Sequence, residues 1–212
     1  DKIHLVPFGE YLPLRPVLGW VNRFVPLEDF TSGTKYTVFF LPTNSPQPPL
    51  YSKEGESSPL FFSKRGLGGV PFGVLICFED TLGYLWRNFV NAGAGFLVNM
   101  TNDAWFMDTK APFLHLQAAV FGCVENKRAL VRAANTGFSG FIDPFGRIIA
   151  AVEDQKHKRT FVSGTAYARI PVVQEKTVYT KYGDVFTMLC LFAILITFII
   201  GKINGHRIIK EI

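Results

Sequence analysis

"GVPFGVLICFED", Gly69 to Asp80, decides the fold. The stretch is an apolar run that ends on a cysteine and passes at once into acids. Val70 to Ile76 is predicted as a buried strand, because a short continuous apolar run suits a strand covered on both faces. "DTLGYLWRNFVNAG", Asp80 to Gly93, follows as a predicted helix, with Asp80 near its N-terminus and a glycine at its end. "GFLVNM", Gly95 to Met100, is a second buried strand. Strand, cysteine, helix, strand is a βαβ-like unit and places the chain among α/β folds. In open sheets of that class, chemistry gathers outside the carboxyl ends of the strands. Cys77 lies at one such end, and "TNDAWF", Thr101 to Phe106, lies at the next.

Outward from this unit, "LRPVLGWVNRFV", Leu14 to Val25, carries apolar residues at a helical spacing, and Pro16 confines that helix to starting there. Leu41 to Pro59 is rich in Pro, Ser and Asn and reads as a long irregular insertion. Downstream, one long helix is expected from Leu114 to Ala134. Leu116, Ala119, Val120, Cys123, Val124, Leu130 and Val131 make most of one face, and Asn135 to Gly137 is a stop signal. "FSGFIDPFGRIIAAV" reads as a hairpin whose turn, Asp143 to Gly146, has type I residues. "TFVSGTA", Thr160 to Ala166, is expected to add a strand.

The end of the chain differs in kind. Val185 to Ile200 holds no charge, and with its flanks it approaches the roughly 20 residues that span a bilayer. Lys202, His206, Arg207 and Lys210 follow, which puts the C-terminus on the cytosolic side and the preceding domain outside. The plain alternative, a buried core helix, conflicts with the absence of a polar face. The expected organisation is a catalytic domain over 1–182, a transmembrane helix over 183–202 and a basic tail over 203–212. Bulk properties agree with lipid contact. The 212 residues are 48% hydrophobic with a net charge of +5, and mean hydropathy is +0.20. The basic residues form no stripe with interleaved aromatics, so nucleic acid is not expected as a partner. A basic protein near anionic lipid is the simpler reading.

Three cysteines, Cys77, Cys123 and Cys190, make neither an even disulfide framework nor a metal-like spacing. Neither a metal nor a cofactor is expected. Cys123 and Cys190 fit apolar faces. Cys77 reads either as a packed thiol or as a nucleophile. A nucleophile needs its thiolate favoured by a cation or a helix N-terminus, a base and oxyanion donors. The backbone N–H of Phe78 is a natural oxyanion donor. Glu79 and Asp80 oppose a thiolate electrostatically, so they must be offset or have other work.

"DKIHLVPFGEYLP" (Asp1 to Pro13), "GVLICFED", "NMTNDAWF", "HLQAA…ENKRALVRAANTG" and "TVYTKYGD" before the apolar tail occur together in this order. In these motifs the chain resembles the nitrilase (carbon-nitrogen hydrolase) superfamily, and within it the C-terminal part of the apolipoprotein N-acyltransferases. The resemblance implies a partial nitrilase-like α-β-β-α sandwich followed by one C-terminal transmembrane helix. It implies that Cys77 is the nucleophile, that Lys2 is the catalytic lysine, and that Glu10 is a second glutamate binding Lys2 or the amine. It further implies substrate-binding places for Glu79, Phe78, Asn102 and Trp105. Each has a plainer reading. Lys2 could be an exposed terminal lysine, Glu10 a surface acid, Glu79 a helix N-terminal acid and Trp105 a core residue. His4 and His115 read as structural.

The implied reaction moves an acyl chain from a phospholipid, through a cysteine thioester, to the N-terminal amine of diacylglyceryl-cysteine in an apolipoprotein. It would take place at the bacterial inner membrane, with the catalytic domain on the periplasmic side. A membrane-tethered amidase and an inactive lipoprotein-binding module are the alternatives. The apolar residues between Leu12 and Val25 would form an arm touching the bilayer, or else a core helix. Three departures stand out. The family's general-base glutamate and its other membrane helices lie upstream of the lysine motif, where this chain begins at Asp1. The chain by itself is therefore expected to be inactive. Val120 and Gly122 also stand where the family often has arginines.

Overall fold

A computed structural model describes residues 2–6, 10, 11, 16, 30–42 and 69–210. Six strands form one mixed sheet whose spatial order is the order of the chain. β1 (Val38–Pro42) pairs antiparallel with β2 (Gly69–Ile76). β2, β3 (Phe96–Thr101) and β4 (Ala129–Ala134) are mutually parallel. β5 (Gly140–Ile142) and β6 (Ile148–Ala151) complete the sheet as an antiparallel hairpin.

Two crossover helices join the parallel strands: α1 (Gly83–Asn91) and α2 (Ala111–Asn126). Both crossovers step one strand in the same direction, and right-handed crossovers then put both helices on one face. The core lies between them and the sheet. Leu75, Leu97 and Leu130 from the strands meet Leu85, Trp86 and Phe89 of α1 and Leu116, Ala119 and Cys123 of α2. Each fully buried leucine contributes about 1.5–3 kcal/mol. At the helix contact Gly122 touches the Trp86 ring so closely that a Cβ there would sit 2.3 Å from Cε2. The described residues thus supply one sheet and one helical layer of the expected sandwich. On the opposite face, Phe39, Phe72 and Phe96 stack with centroids 5.4 and 5.3 Å apart.

The predicted strands at 70–76 and 95–100 are present, as is the hairpin. Its turn closes with Gly146 N donating to Asp143 O at 3.0 Å, and Gly146 has the positive φ of 80° that favours glycine there. Four expectations are corrected. The helix expected from Asp80 starts at Gly83, because Cys77–Thr81 is a 3₁₀ turn and Leu82 is extended. The helix expected to run to Ala134 stops at Asn126, where Lys127 turns left-handed at φ 52°.

Leu130 and Val131 then belong to β4. A short apolar run suits a helix or a strand equally by pattern, and the slot between β3 and β5 selects the strand. Arg128 secures that corner by donating from Nε to Ala94 O at 3.0 Å, from Nη1 to Glu175 O at 2.8 Å and from Nη2 to Gln174 O at 3.2 Å. Burial pulls its guanidinium down to about 10. The strand expected at 160–166 does not form, and that segment runs without regular structure. Leu41 and Pro42, expected to open the insertion, belong to β1. The rest of the insertion and the helix expected between Leu14 and Val25 lie outside the described residues, apart from Pro16.

Beyond the short helix α3 (Val178–Tyr182), α4 runs from Val185 to Lys210. Its segment Val185–Lys202 has a mean hydropathy of 2.4 and none of it is buried. Among the described residues it is the one helix long and apolar enough to cross a membrane.

Candidate active site

The parallel strands β2, β3 and β4 end at the same edge of the sheet, where Cys77, Phe78 and Glu79 follow β2 and Asn102 and Trp105 follow β3. β2 delivers Cys77 into a sharp turn. The cysteine takes φ 55°, a left-handed conformation that costs a residue with a Cβ about 1 kcal/mol or more. The turn leaves the thiol half-buried. Cys77 opens the 3₁₀ turn Cys77–Thr81, so the N-terminus of α1 at Gly83 lies six residues beyond it and not under the thiol. Asn99 of β3, fully buried, holds the turn from below. Its Nδ2 donates to Cys77 O at 3.0 Å and to Leu75 O at 3.3 Å.

Glu79 is buried and caps the 3₁₀ turn Cys77–Thr81 at Ile76 rather than helix α1. One carboxylate oxygen accepts from Ile3 N at 2.5 Å and His4 N at 2.8 Å, and the other accepts from Ile76 N at 2.8 Å. Three backbone donors offset its charge and tie the N-terminal segment to the turn of the nucleophile candidate. Lys2 is thereby held directly next to Ile3, a bonded partner of that turn. Among the described residues its ammonium bonds to both oxygens of Glu10, at 2.6 Å each. Glu10 also accepts from Val6 N at 2.8 Å. Lys2 and Glu10 line a cavity of about 520 Å³ with Leu5, Phe30, Thr31, Ser32 and Gly33.

The other singled-out residues divide. Phe78 is 40% exposed beside Cys77. Trp105 is 85% exposed, so the core reading for it fails. Asn102 organises the next strand end, its Oδ1 accepting from Ala104 N at 3.2 Å and from Asn135 Nδ2 at 3.1 Å. It thus links the loops after β3 and β4. His4 Nδ1 lies 2.8 Å from the Tyr84 hydroxyl at the surface.

Behind Cys77 lies a buried cluster that spacing alone did not reveal: Asp80, Asp103, His115 and Arg132. His115 Nε2 is 2.6 Å from Asp80 Oδ1, and its Nδ1 is 3.1 Å from Asp103 Oδ1. Arg132 Nη1 pairs with Asp80, and Nη2 lies 3.2 Å from Asp103 and 2.9 Å from His115 Nδ1. Burial opposes charge on the imidazole, but the two carboxylates prevail and hold His115 up at about 9. Burial likewise opposes charge on Asp103, while His115 and Arg132 hold its carboxyl below the ordinary range. Cys123, packed under this cluster, has its thiol pushed far up by burial and by Asp143 and Asp80, and stays inert. The four charged residues stand far apart in the chain, and only the quoted motif segments hinted at them.

A thiol presented on a strained turn at the carboxyl edge of an α/β sheet, with a lysine segment stapled beside it, defines the class as a nitrilase-superfamily α/β domain. The chain belongs to the carbon-nitrogen hydrolase family, whose profile matches residues 1–176. It is 35% identical over 192 residues to the apolipoprotein N-acyltransferase of Geobacter metallireducens, covering 90% of this chain and 31% of that protein. Apolipoprotein N-acyltransferase 1 of Treponema pallidum is 34% identical over 207 residues, covering 96% and 32%. The Haemophilus influenzae apolipoprotein N-acyltransferase is 31% identical over 211 residues, covering 96% and 34%. The chain spans about a third of the length of these curated relatives. Among solved structures, an amidase from Nesterenkonia sp. aligns at 22% identity and TM-score 0.34, over 40% of this chain and 34% of that one. A carbon-nitrogen hydrolase from Helicobacter pylori G27 aligns at 12% identity and TM-score 0.39, over 54% and 43%.

Proposed function

We propose that this chain is the thiol-bearing part of an apolipoprotein N-acyltransferase. The observation that carries the reading is the Glu79 staple, which joins the Lys2 segment to the turn of Cys77. The names of the relatives and the fully exposed apolar helix support it. The Cys77 sulfur attacks an ester carbonyl of a phospholipid, forming the carbon–sulfur bond. The tetrahedral oxyanion is held by the Phe78 N–H and the Lys2 ammonium. Its collapse breaks the carbon–oxygen bond, and the leaving lysophospholipid takes up the proton that the Cys77 thiol gave to a carboxylate base on attack. The α-amine of the diacylglyceryl-cysteine then attacks the thioester and returns the thiol, while a carboxylate base accepts the amine proton. Glu10 orients Lys2. Phe78, Glu79, Asn102 and Trp105 shape the mouth where the acyl chain and the acceptor enter.

In this reading 1–182 is the catalytic domain, 183–202 spans the inner membrane and 203–212 is a cytoplasmic tail. The domain then faces the periplasm, where phospholipid and lipoprotein are both within reach. The test is to incubate the full-length protein with phospholipid carrying a labelled acyl chain and to map the label by mass spectrometry. A thioester on Cys77 that disappears on adding a lipoprotein N-terminal peptide is the expected result. Absence of an acylated Cys77, or release of the label only to water, refutes acyl transfer.

A further inference from the structure

Two acids, Glu79 and Asp80, stand two and three residues beyond the nucleophile candidate, and a negative neighbour opposes a thiolate. Glu79 is answered by three backbone donors. Asp80 lies in the buried cluster, where the formal charges can be counted. Asp80 and Asp103 contribute two negative charges. Arg132 contributes one positive charge, and only a protonated His115 brings the sum to zero.

We propose that Asp80, His115, Asp103 and Arg132 form a charge-balanced positioning cluster for Cys77. It locks the turn that presents the thiol and cancels the field of the carboxylate three residues beyond it. This rests on the reading of Cys77 as the nucleophile. Four elements converge on the cluster: the turn Cys77–Thr81, the turn Asp103–Phe106, α2 and β4. All four side chains are buried, so solvent screens their charges weakly. Thr101 adds a bond to Asp103 Oδ1 at 2.8 Å. Gly137 closes the far side so tightly that a Cβ there would meet Asp103 Oδ2 at 2.0 Å.

The imidazole is the variable member. Protonated, its Nδ1 donates to Asp103. Neutral, the same nitrogen can only accept, and Arg132 Nη2 at 2.9 Å is the donor it faces. Each state keeps one Nδ1 hydrogen bond, to Asp103 when protonated or from Arg132 when neutral, but only the protonated one leaves no net charge behind Cys77. The pull of both carboxylates on His115 favours that state at neutral pH. The other titratable groups facing this region are Glu79, which is bonded to backbone, the inert Cys123, and Asp143, which is paired with Arg147.

The test is the alkylation of Cys77 by iodoacetamide in the full-length protein, followed against pH by peptide-resolved mass spectrometry. His115→Gln leaves the cluster at minus one. Alkylation at pH 7 is expected to fall roughly fivefold or more, with the profile displaced to higher pH. His115→Gln with Asp103→Asn restores zero charge while removing more hydrogen bonds, and is expected to recover most of the rate. A double variant slower than the single one would reduce the cluster to a packing role and overturn the proposal. A second measurement does not depend on how these variants fold. With His4, His157 and His206 replaced by glutamine, the ¹⁵N spectrum of the labelled protein should show His115 as an imidazolium at pH 7. A neutral ring would overturn the charge balance. Alkylation needs no acyl donor, so a failure of acyl transfer and a failure of this proposal are separate results.

Discussion

Replacing Glu79 with glutamine tests the link between the two halves of the site. Glu79 is 1% exposed, and its oxygens accept from Ile3, His4 and Ile76. A glutamine fits the space but has one oxygen. If that oxygen faces Ile3 and His4, the new amide points a donor at the Ile76 N–H. If it faces Ile76, two N–H groups lose their acceptor. The remaining bonds also lose their charge assistance. Hydrogen bonds to a charged group contribute about 1.5–3 kcal/mol, and a buried orphan donor costs about 1–3 kcal/mol. The milder arrangement therefore loses about 2–3 kcal/mol of local stability. Amide hydrogen exchange reads this directly: Ile3, His4 and Ile76 should exchange roughly 30- to 150-fold faster as a set. Glu153→Gln is the control, since that acid is paired with Arg159 and His157 at the surface, where such pairs are worth little. Exchange within twofold of wild type at all three amides would show that Glu79 does not hold the N-terminal segment, and the proposed coupling of Lys2 to Cys77 would fall.

Three further outcomes are expected. His115, held up at about 9 in the folded chain against about 6.5 unfolded, contributes stability that is complete below pH 6.5 and lost as pH rises through 9. The loss is on the order of 3 kcal/mol, and His115→Gln should flatten that alkaline limb in unfolding midpoints measured against pH. Gly122→Ala drives a Cβ into the Trp86 ring; overpacking of about 1–3 kcal/mol should lower the melting temperature by several degrees, whereas Gly201→Ala, with nothing within 4 Å of the new Cβ, should not. Ile194→Lys in the exposed apolar helix adds about 2.5–3.5 kcal/mol to insertion if the helix spans a bilayer; carbonate extraction of membranes should then release more of the variant, and equal retention would argue against spanning.

Much of the site's location was readable along the chain. The run from Gly69 to Ile76 allowed little but a strand, and the cysteine after it fell at a strand end. Asp143 to Gly146 spelled a turn, and Val185 to Ile200 offered no polar face to water. These features are local: backbone preference, apolar period and turn chemistry act over a few residues, so a few residues reveal them. The fate of Ala129–Ala134 was not local. Its pattern suited the preceding helix as well as a strand, and the free hydrogen-bonding edge of β3 settled the choice. The partners of Glu79 and the meeting of residues 80, 103, 115 and 132 were likewise settled only by the fold. A hydrogen bond between residues tens of positions apart depends on where the parallel strands end in space. The sequence alone determined that a thiol would stand at a sheet edge, and tertiary packing decided which charges stand behind it, because burial couples side chains by distance in space and not by separation along the chain.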